Sequence, residues 1–233
     1  MYDFDTPLDR NNINAYAVDL FRKNLLHVTP DAPLPYKDED FIQMWVADMS
    51  FAAPDFILQG VKNALSNRFL GYTEMHTPTN PRYRQLFNSW CQRHYDWSFD
   101  KDELFLSTGI VPALRELIGM ITKADEKVLI LTPSYPPFKG SAIHNSRECI
   151  YCPLIDEEGF YTINFELLEK QAADEKTTLL LFCNPHNPSG RLWSEDELQR
   201  LADIIAKHRL WVISDEIHCD LLRSGLRHIP LAK

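Results

Sequence analysis

Residues 178–218 read TLLLFCNPHNPSGRLWSEDELQRLADIIAKHRLWVISDEIH. An apolar run from Thr178 to Cys183 stops at a turn former. Ser194 and Glu197 then stand three apart as a capping box, ahead of Leu198, Leu201, Ile204 and Ile205 on one helical stripe. A second apolar run, Trp211 to Ser214, follows at once. Strand, helix and strand in this order require a crossover, so the two strands are expected to run parallel. Working outward, Leu104 to Ser107, Lys127 to Leu131 and Cys149 to Cys152 are further short apolar runs ended by turn formers, each predicted as a strand. Asn80-Pro81 reads as a helix N-cap and first helical position, followed by Tyr83, Leu86, Phe87, Trp90 and Cys91 on one face. The expected fold is α/β, a mostly parallel sheet with helices on both faces, in which ligands settle at the carboxyl ends of the strands. Residues 1–45 are polar and dotted with prolines, with a short amphipathic stretch near Val18 to Leu26. They read as an N-terminal arm or part of a small domain, and residues 46–233 as the large domain.

The composition narrows the function. The 233 residues are 45% hydrophobic, enough for a sizeable core, and carry 24 basic against 33 acidic side chains. That acidic balance disfavours nucleic acid or an anionic membrane, both of which need clustered Lys and Arg. A small molecule or another protein is the expected partner. The beginning MYDFDTPLDR has neither a basic nor an apolar leader region, and no apolar window reaches membrane-spanning length, so the expected location is the cytoplasm. Cys149 and Cys152 form a C-x-x-C, but on a strand they would point to opposite faces, which favours a core role over a metal or redox pair. No Walker A or G-x-G-x-x-G sequence marks a nucleotide site.

Four loops follow the expected strands. Ser107-Thr108-Gly109-Ile110-Val111-Pro112 leads into the apolar-periodic stretch Ala113 to Ile121 and offers free amides at a helix start, suited to a phosphate or to nothing more than a turn. In the next, Thr132-Pro133-Ser134-Tyr135-Pro136-Pro137-Phe138, Tyr135 can stack on a flat ligand or join the core. Two Asn-Pro steps in Asn184-Pro185-His186-Asn187-Pro188-Ser189-Gly190 hold both asparagines extended. Asp215, at the end of Trp211-Val212-Ile213, is either a helix N-cap or a partly desolvated carboxylate awaiting a cation. Together they offer what a flat, phosphorylated, pyridinium-bearing cofactor requires.

These loops, in this order, resemble the fold-type I pyridoxal-phosphate enzymes of the aminotransferase class I and II superfamily. WVADMSF at 45–51, LGYTE at 70–74, TPSYPPF at 132–138, NPHNPSGRLW at 184–193 and SDEIH at 214–218 are most similar to its cystathionine β-lyase and cysteine-S-conjugate β-lyase branch. The resemblance covers the chain from Gln43 onward and implies pyridoxal 5'-phosphate as cofactor. It places the phosphate on the amides of Gly109, Ile110 and Val111, Tyr135 over the ring, Asn187 on the phenolic oxygen with Asn184 shaping the loop, and Asp215 on the pyridine nitrogen. His218 falls where relatives place a second donor to the phenolic oxygen. Tyr72 would reach the neighbouring subunit's site, which implies a homodimer, and Asp48 and Ser50 would approach an amino-acid substrate.

The implied reaction of the full-length form is cleavage of the Cβ–S bond of cystathionine or a cysteine conjugate to thiol, pyruvate and ammonia. Transamination is the nearest alternative, and a non-catalytic remnant or interaction protein is another. The lysine that such enzymes join to the cofactor lies in a serine-rich loop beyond S-D-E-I-H. Lys233, directly after Arg227-His228-Ile229-Pro230-Leu231-Ala232, matches it poorly, so no catalytic residue is assigned and the chain reads as truncated. The resemblance places later strands between the first strand and the rest, so a gap in the sheet is expected. Ser50 stands where the branch usually has Asp, and Thr108 where it often has Pro.

Overall fold

The computed structural model describes residues 2–69, 71, 81–100 and 102–233. Its contacts divide the chain into two compact units, residues 1–72 and 73–233. In the first, helices α1 (Tyr16–Asp19), α2 (Phe21–Asn24) and α3 (Asp55–Leu65) are joined by long irregular segments. Polar ties substitute there for an extended core: the Asp19 carboxylate accepts from the amides of Asn12, Ile13 and Ala15, and Arg22 forks onto Asp38. Phe21 stacks on Phe41 with ring centroids 4.6 Å apart.

The second unit holds helix α4 (Pro81–Tyr95), helix α5 (Ile110–Ile121) and a four-stranded sheet. Its strands are β1 (Lys127–Thr132), β2 (Glu148–Pro153), β5 (Thr177–Cys183) and β6 (Trp211–Asp215), all parallel in the order β2-β1-β5-β6. Helix α6 (Pro136–His144) crosses from β1 to β2, and α8 (Glu195–His208) from β5 to β6. Between β2 and β5 lie the antiparallel pair β3 (Ile155–Glu157) and β4 (Phe160–Thr162) and helix α7 (Phe165–Ala172).

Strands β1 and β5 occupy the centre, and this is why their sequences are continuous apolar runs rather than alternating ones: both faces are covered. The pleat sorts their side chains. Val128, Ile130, Leu179, Leu181 and Cys183 pack against α5 and α6. Leu129, Leu131, Leu180 and Phe182 pack against α7, α8 and Trp193. The C-x-x-C follows the same rule, with Cys149 on the α5/α6 side and Cys152 on the other, and all five cysteines are free thiols. Among the described residues no helix is long and apolar enough to cross a membrane.

Four of the five expected strands form, each within a residue or two of its sequence bounds. The fifth does not. Residues 104–107 belong to no strand, and Phe105 and Leu106 face solvent. Apolar sequence nominates a strand, but only a neighbour's amides and carbonyls can make one, and among the described residues the sheet ends at β6 on one side and β2 on the other. The β3–β4 hairpin was not anticipated. Its turn, Glu158-Gly159, has positive φ at both residues (55° and 90°), the backbone twist a two-residue hairpin needs and glycine readily supplies.

Helix α8 starts as its sequence dictates. Ser194 Oγ accepts from the Glu197 amide at 3.2 Å, and Glu197 Oε2 accepts from the Ser194 amide at 2.8 Å. The same glutamate takes both contacts of an Arg191 guanidinium nitrogen, at 2.7 and 2.8 Å. Arg191 also donates to the Tyr161 carbonyl at 2.6 Å, fastening the hairpin to the start of α8. Ser194→Ala should cost about 1 kcal/mol in urea unfolding, and Ser194→Asp should recover most of it. An unchanged midpoint for the alanine variant would mean that Arg191 alone secures this helix start.

Candidate cofactor site

Parallel strands deliver their carboxyl ends to one edge, and here β1, β5 and β6 are neighbours. Tyr135, the Asn184–Asn187 loop and Asp215 therefore follow three adjacent strands. The register sets Cys183 opposite Asp215, and the Asn184 amide donates to the Asp215 carbonyl at 3.0 Å.

Asp215 is only 7% exposed. Its Oδ1 accepts from the Ile217 amide at 3.2 Å, and it forms no ion pair with a described residue. Burial pushes its carboxyl above the usual range, opposed by the Ile217 hydrogen bond and by the nearby His218. The helix N-cap reading gives way: the residues after Asp215 form turns, not a helix. A buried carboxylate with one weak donor and no cation wants one.

It opens on a cavity of about 450 Å³ lined largely by apolar and aromatic groups, among them Trp90, Tyr95, Leu114 and Ile217. Ile110, in the first turn of α5, lines the same cavity. That turn has no side-chain cap, so the amides of Ile110 and Val111 keep no intrahelical acceptor. Gly109 before it is extended, and a Cβ there would meet Pro112 Cδ at an ordinary 3.6 Å, so the chain's own packing does not demand the glycine.

Asn184 is fully buried. Its Nδ2 donates to the Ile229 carbonyl at 3.1 Å, while its Oδ1 has no partner. The half-buried Asn187 spends its backbone amide on Cys183 Sγ at 3.4 Å, leaving its side chain without a hydrogen bond to a described residue. Between them His186 is buried against Trp193, with Nδ1 2.7 Å from Ser189 Oγ, and burial lowers its pKa to about 4. Tyr135, also half-buried, meets Phe138 edge-on and packs on the α5/α6 cluster. The cavity joins Asp215 to the start of α5 but is not lined by Tyr135, Asn187 or His218.

Tyr72 and Asn80 lie outside the described residues. Asp48 and Ser50 belong to the first unit, where Arg10 holds both, at 2.8 Å from Asp48 Oδ2 and 3.4 Å from Ser50 Oγ. Lys233 is tied to Asp96 at 3.1 Å and to the Tyr95 carbonyl at 3.3 Å, and does not line the cavity. Sequence reasoning passed over Glu216 and His228, which meet at 2.8 Å. The only signal was an acid and an imidazole twelve residues apart in otherwise unassigned positions.

The fold is an α/β sheet whose strand ends carry Asp215, beside a cavity that the start of α5 also lines. The chain belongs to the aminotransferase class I and II family, which matches it over residues 39–232. It is similar to cystathionine beta-lyase PatB of Bacillus subtilis (strain 168), 37% identical over 193 residues that make up 83% of this chain and 49% of PatB. Among solved structures it is similar to the PLP-bound C-S lyase from Staphylococcus hominis, with a TM-score of 0.87 and 40% identity over 100% of this chain and 55% of that one. Cystalysin from Treponema denticola, whose structure contains pyridoxal 5'-phosphate, gives 0.86 and 35% over 99% and 55%. The chain spans about half the length of the curated relatives it matches.

Proposed function

We propose that this chain holds pyridoxal 5'-phosphate and that the activity it serves is carbon–sulfur β-elimination on cystathionine or a cysteine conjugate, in the cytoplasm and as a homodimer. The observation that carries the reading is Asp215: buried, without an ion-pair partner among the described residues, and facing the cavity that the start of α5 also lines. Asp215 and the uncapped start of α5, which share the cavity, fit the group's ring nitrogen and phosphate. Asp215 would pair with the ring nitrogen and hold a proton there, the amides of Gly109, Ile110 and Val111 would receive the phosphate, and Asn187 and His218 would donate to the phenolic oxygen. Tyr135 would cover the ring, with Asn184 setting the loop. When bound, the cofactor supplies an electron sink for the charge left at Cα by loss of a substrate proton. The ionised Asp215 strengthens that sink because the paired nitrogen stays cationic. Asp48 and Ser50, held by Arg10, would meet the substrate, and Tyr72 would serve a second copy's site.

Elimination and transamination begin with the same proton loss, so it is kinship with lyases that favours elimination. A chain that holds the cofactor without turning over is favoured by one observation, the engagement of Lys233 with Asp96. Titrating the chain with pyridoxal phosphate should give a saturable change in the cofactor's absorption. Cystathionine should then yield thiol and pyruvate without an added keto acid. Keto acid formed only with an amino acceptor would indicate transamination, and saturable binding without turnover a cofactor-holding chain. Absence of saturable binding would defeat the proposal.

A further inference from the structure

We infer that Glu216 and His228 form a positioning pair that holds the Asp215 carboxylate in register with the cofactor's ring nitrogen. The inference rests on the cofactor reading above. Glu216 follows Asp215 directly, and both of its oxygens are engaged: Oε1 accepts from Ser214 Oγ at 2.7 Å and from the Leu231 amide at 3.0 Å, and Oε2 lies 2.8 Å from His228 Nε2. A carboxylate can only accept, so Nε2 carries the hydrogen. His228 is 1% exposed, its ring edge-on to Tyr95 with centroids 5.3 Å apart.

The same segment is held from the neighbouring strand, where Asn184 Nδ2 donates to the Ile229 carbonyl. Residues 228–231 thus form a crosspiece laced to the end of β6 by Glu216 and to the end of β5 by Asn184. Helix α4 secures the far side of the turn, with Trp90 Nε1 3.1 Å from Asp220 Oδ1 and the Tyr95 hydroxyl on the same carboxylate. Among the described residues the Asp215 side chain has only the long Ile217 amide bond to orient it. Its direction is therefore set by the backbone of residues 214–217, and Glu216 is the side chain that ties this segment to Ser214 Oγ on one side and to His228 and Leu231 on the other. A charge pair at a ligand nitrogen tolerates only a few tenths of an ångström of misplacement, so support at this distance matters.

The test uses the full chain loaded with pyridoxal phosphate carrying ¹⁵N in its ring, reading both the nitrogen's chemical shift and the dissociation constant. The wild-type signal should lie at the pyridinium position. Glu216→Ala and His228→Ala should each move it toward neutral pyridine and weaken binding about tenfold, the equivalent of one charge-assisted hydrogen bond. His228→Gln, whose amide can still donate to Glu216, should restore most of both. Where Glu216→Ala does not fold, Glu216→Gln reads the same quantities, with an intermediate shift expected. Variants that melt earlier yet keep the wild-type signal and affinity would reduce the pair to a structural tie and overturn the inference. A wild-type signal at the neutral position, or one indifferent to Asp215→Ala, would instead sink the cofactor reading beneath it.

Discussion

Replacing Asp215 by alanine should weaken the binding of pyridoxal phosphate by at least about thirty-fold, because truncating one partner of a buried charge pair costs roughly 2 kcal/mol or more. The ring nitrogen would lose its anion, and the proton it holds, in a cavity whose other acids are already engaged, Glu216 by Ser214, His228 and Leu231 and Asp220 by Trp90 and Tyr95. Asp215→Asn should have the opposite effect on the cofactor-free chain. Burial raises this carboxyl's pKa above its unfolded value of 3.8. The folded state therefore binds the proton more tightly, and the ionised group destabilises the fold above its folded pKa. That penalty fades as pH falls toward the unfolded value. At neutral pH the asparagine variant should unfold at higher urea than the wild type, and the gap should close on acidification. Dye-free absorption titration measures the first effect and urea melts at several pH values the second. An alanine variant that binds the cofactor as tightly as the wild type would show that the ring nitrogen is held elsewhere.

Acid should also act through His186. Its pKa falls from 6.5 unfolded to about 4 folded because the ring is buried against Trp193. A depressed imidazole gives the folded state its full advantage above 6.5, and the advantage is lost as pH drops through that window to about 4. The difference corresponds to about 3 kcal/mol of unfolding free energy. His186→Asn keeps an acceptor for Ser189 and removes the titration, so its stability should stay flat over the range where the wild type declines. Equal slopes for the two proteins would place the acid sensitivity in other groups. The residue sits between Asn184 and Asn187, so the same protonation should loosen that loop, and cofactor release should follow the same pH window.

Much of the scaffold was legible because the signals are local. The capping box at Ser194 and Glu197 needs four residues, and the unbroken apolar runs of β1 and β5 announce burial on both faces whatever lies beside them. Cys149 and Cys152 point to opposite faces because the pleat has a period of two. The loops after the strands were readable for the same reason: Asn-Pro steps and an acid after an apolar run are short patterns. The segment 104–107 misled because its pattern is equally local, while a strand is a relation between two segments. The Arg191 tie across the hairpin, the burial of His186 and the Glu216–His228 contact gave no periodic signal, since each joins side chains that chain direction alone does not bring together.

By itself the sequence determined the α/β class, four of the sheet's strands, the main crossover helix and the residues offered at the strand ends. Each is fixed by hydrophobic period, caps and turn chemistry within a few residues. Only the tertiary structure decided the order β2-β1-β5-β6, the absence of a strand at 104–107, and the burial of Asp215 without an ion pair to a described residue. These depend on which distant segments compete for the same backbone partners and the same apolar cover, and that competition is settled by packing across the whole unit.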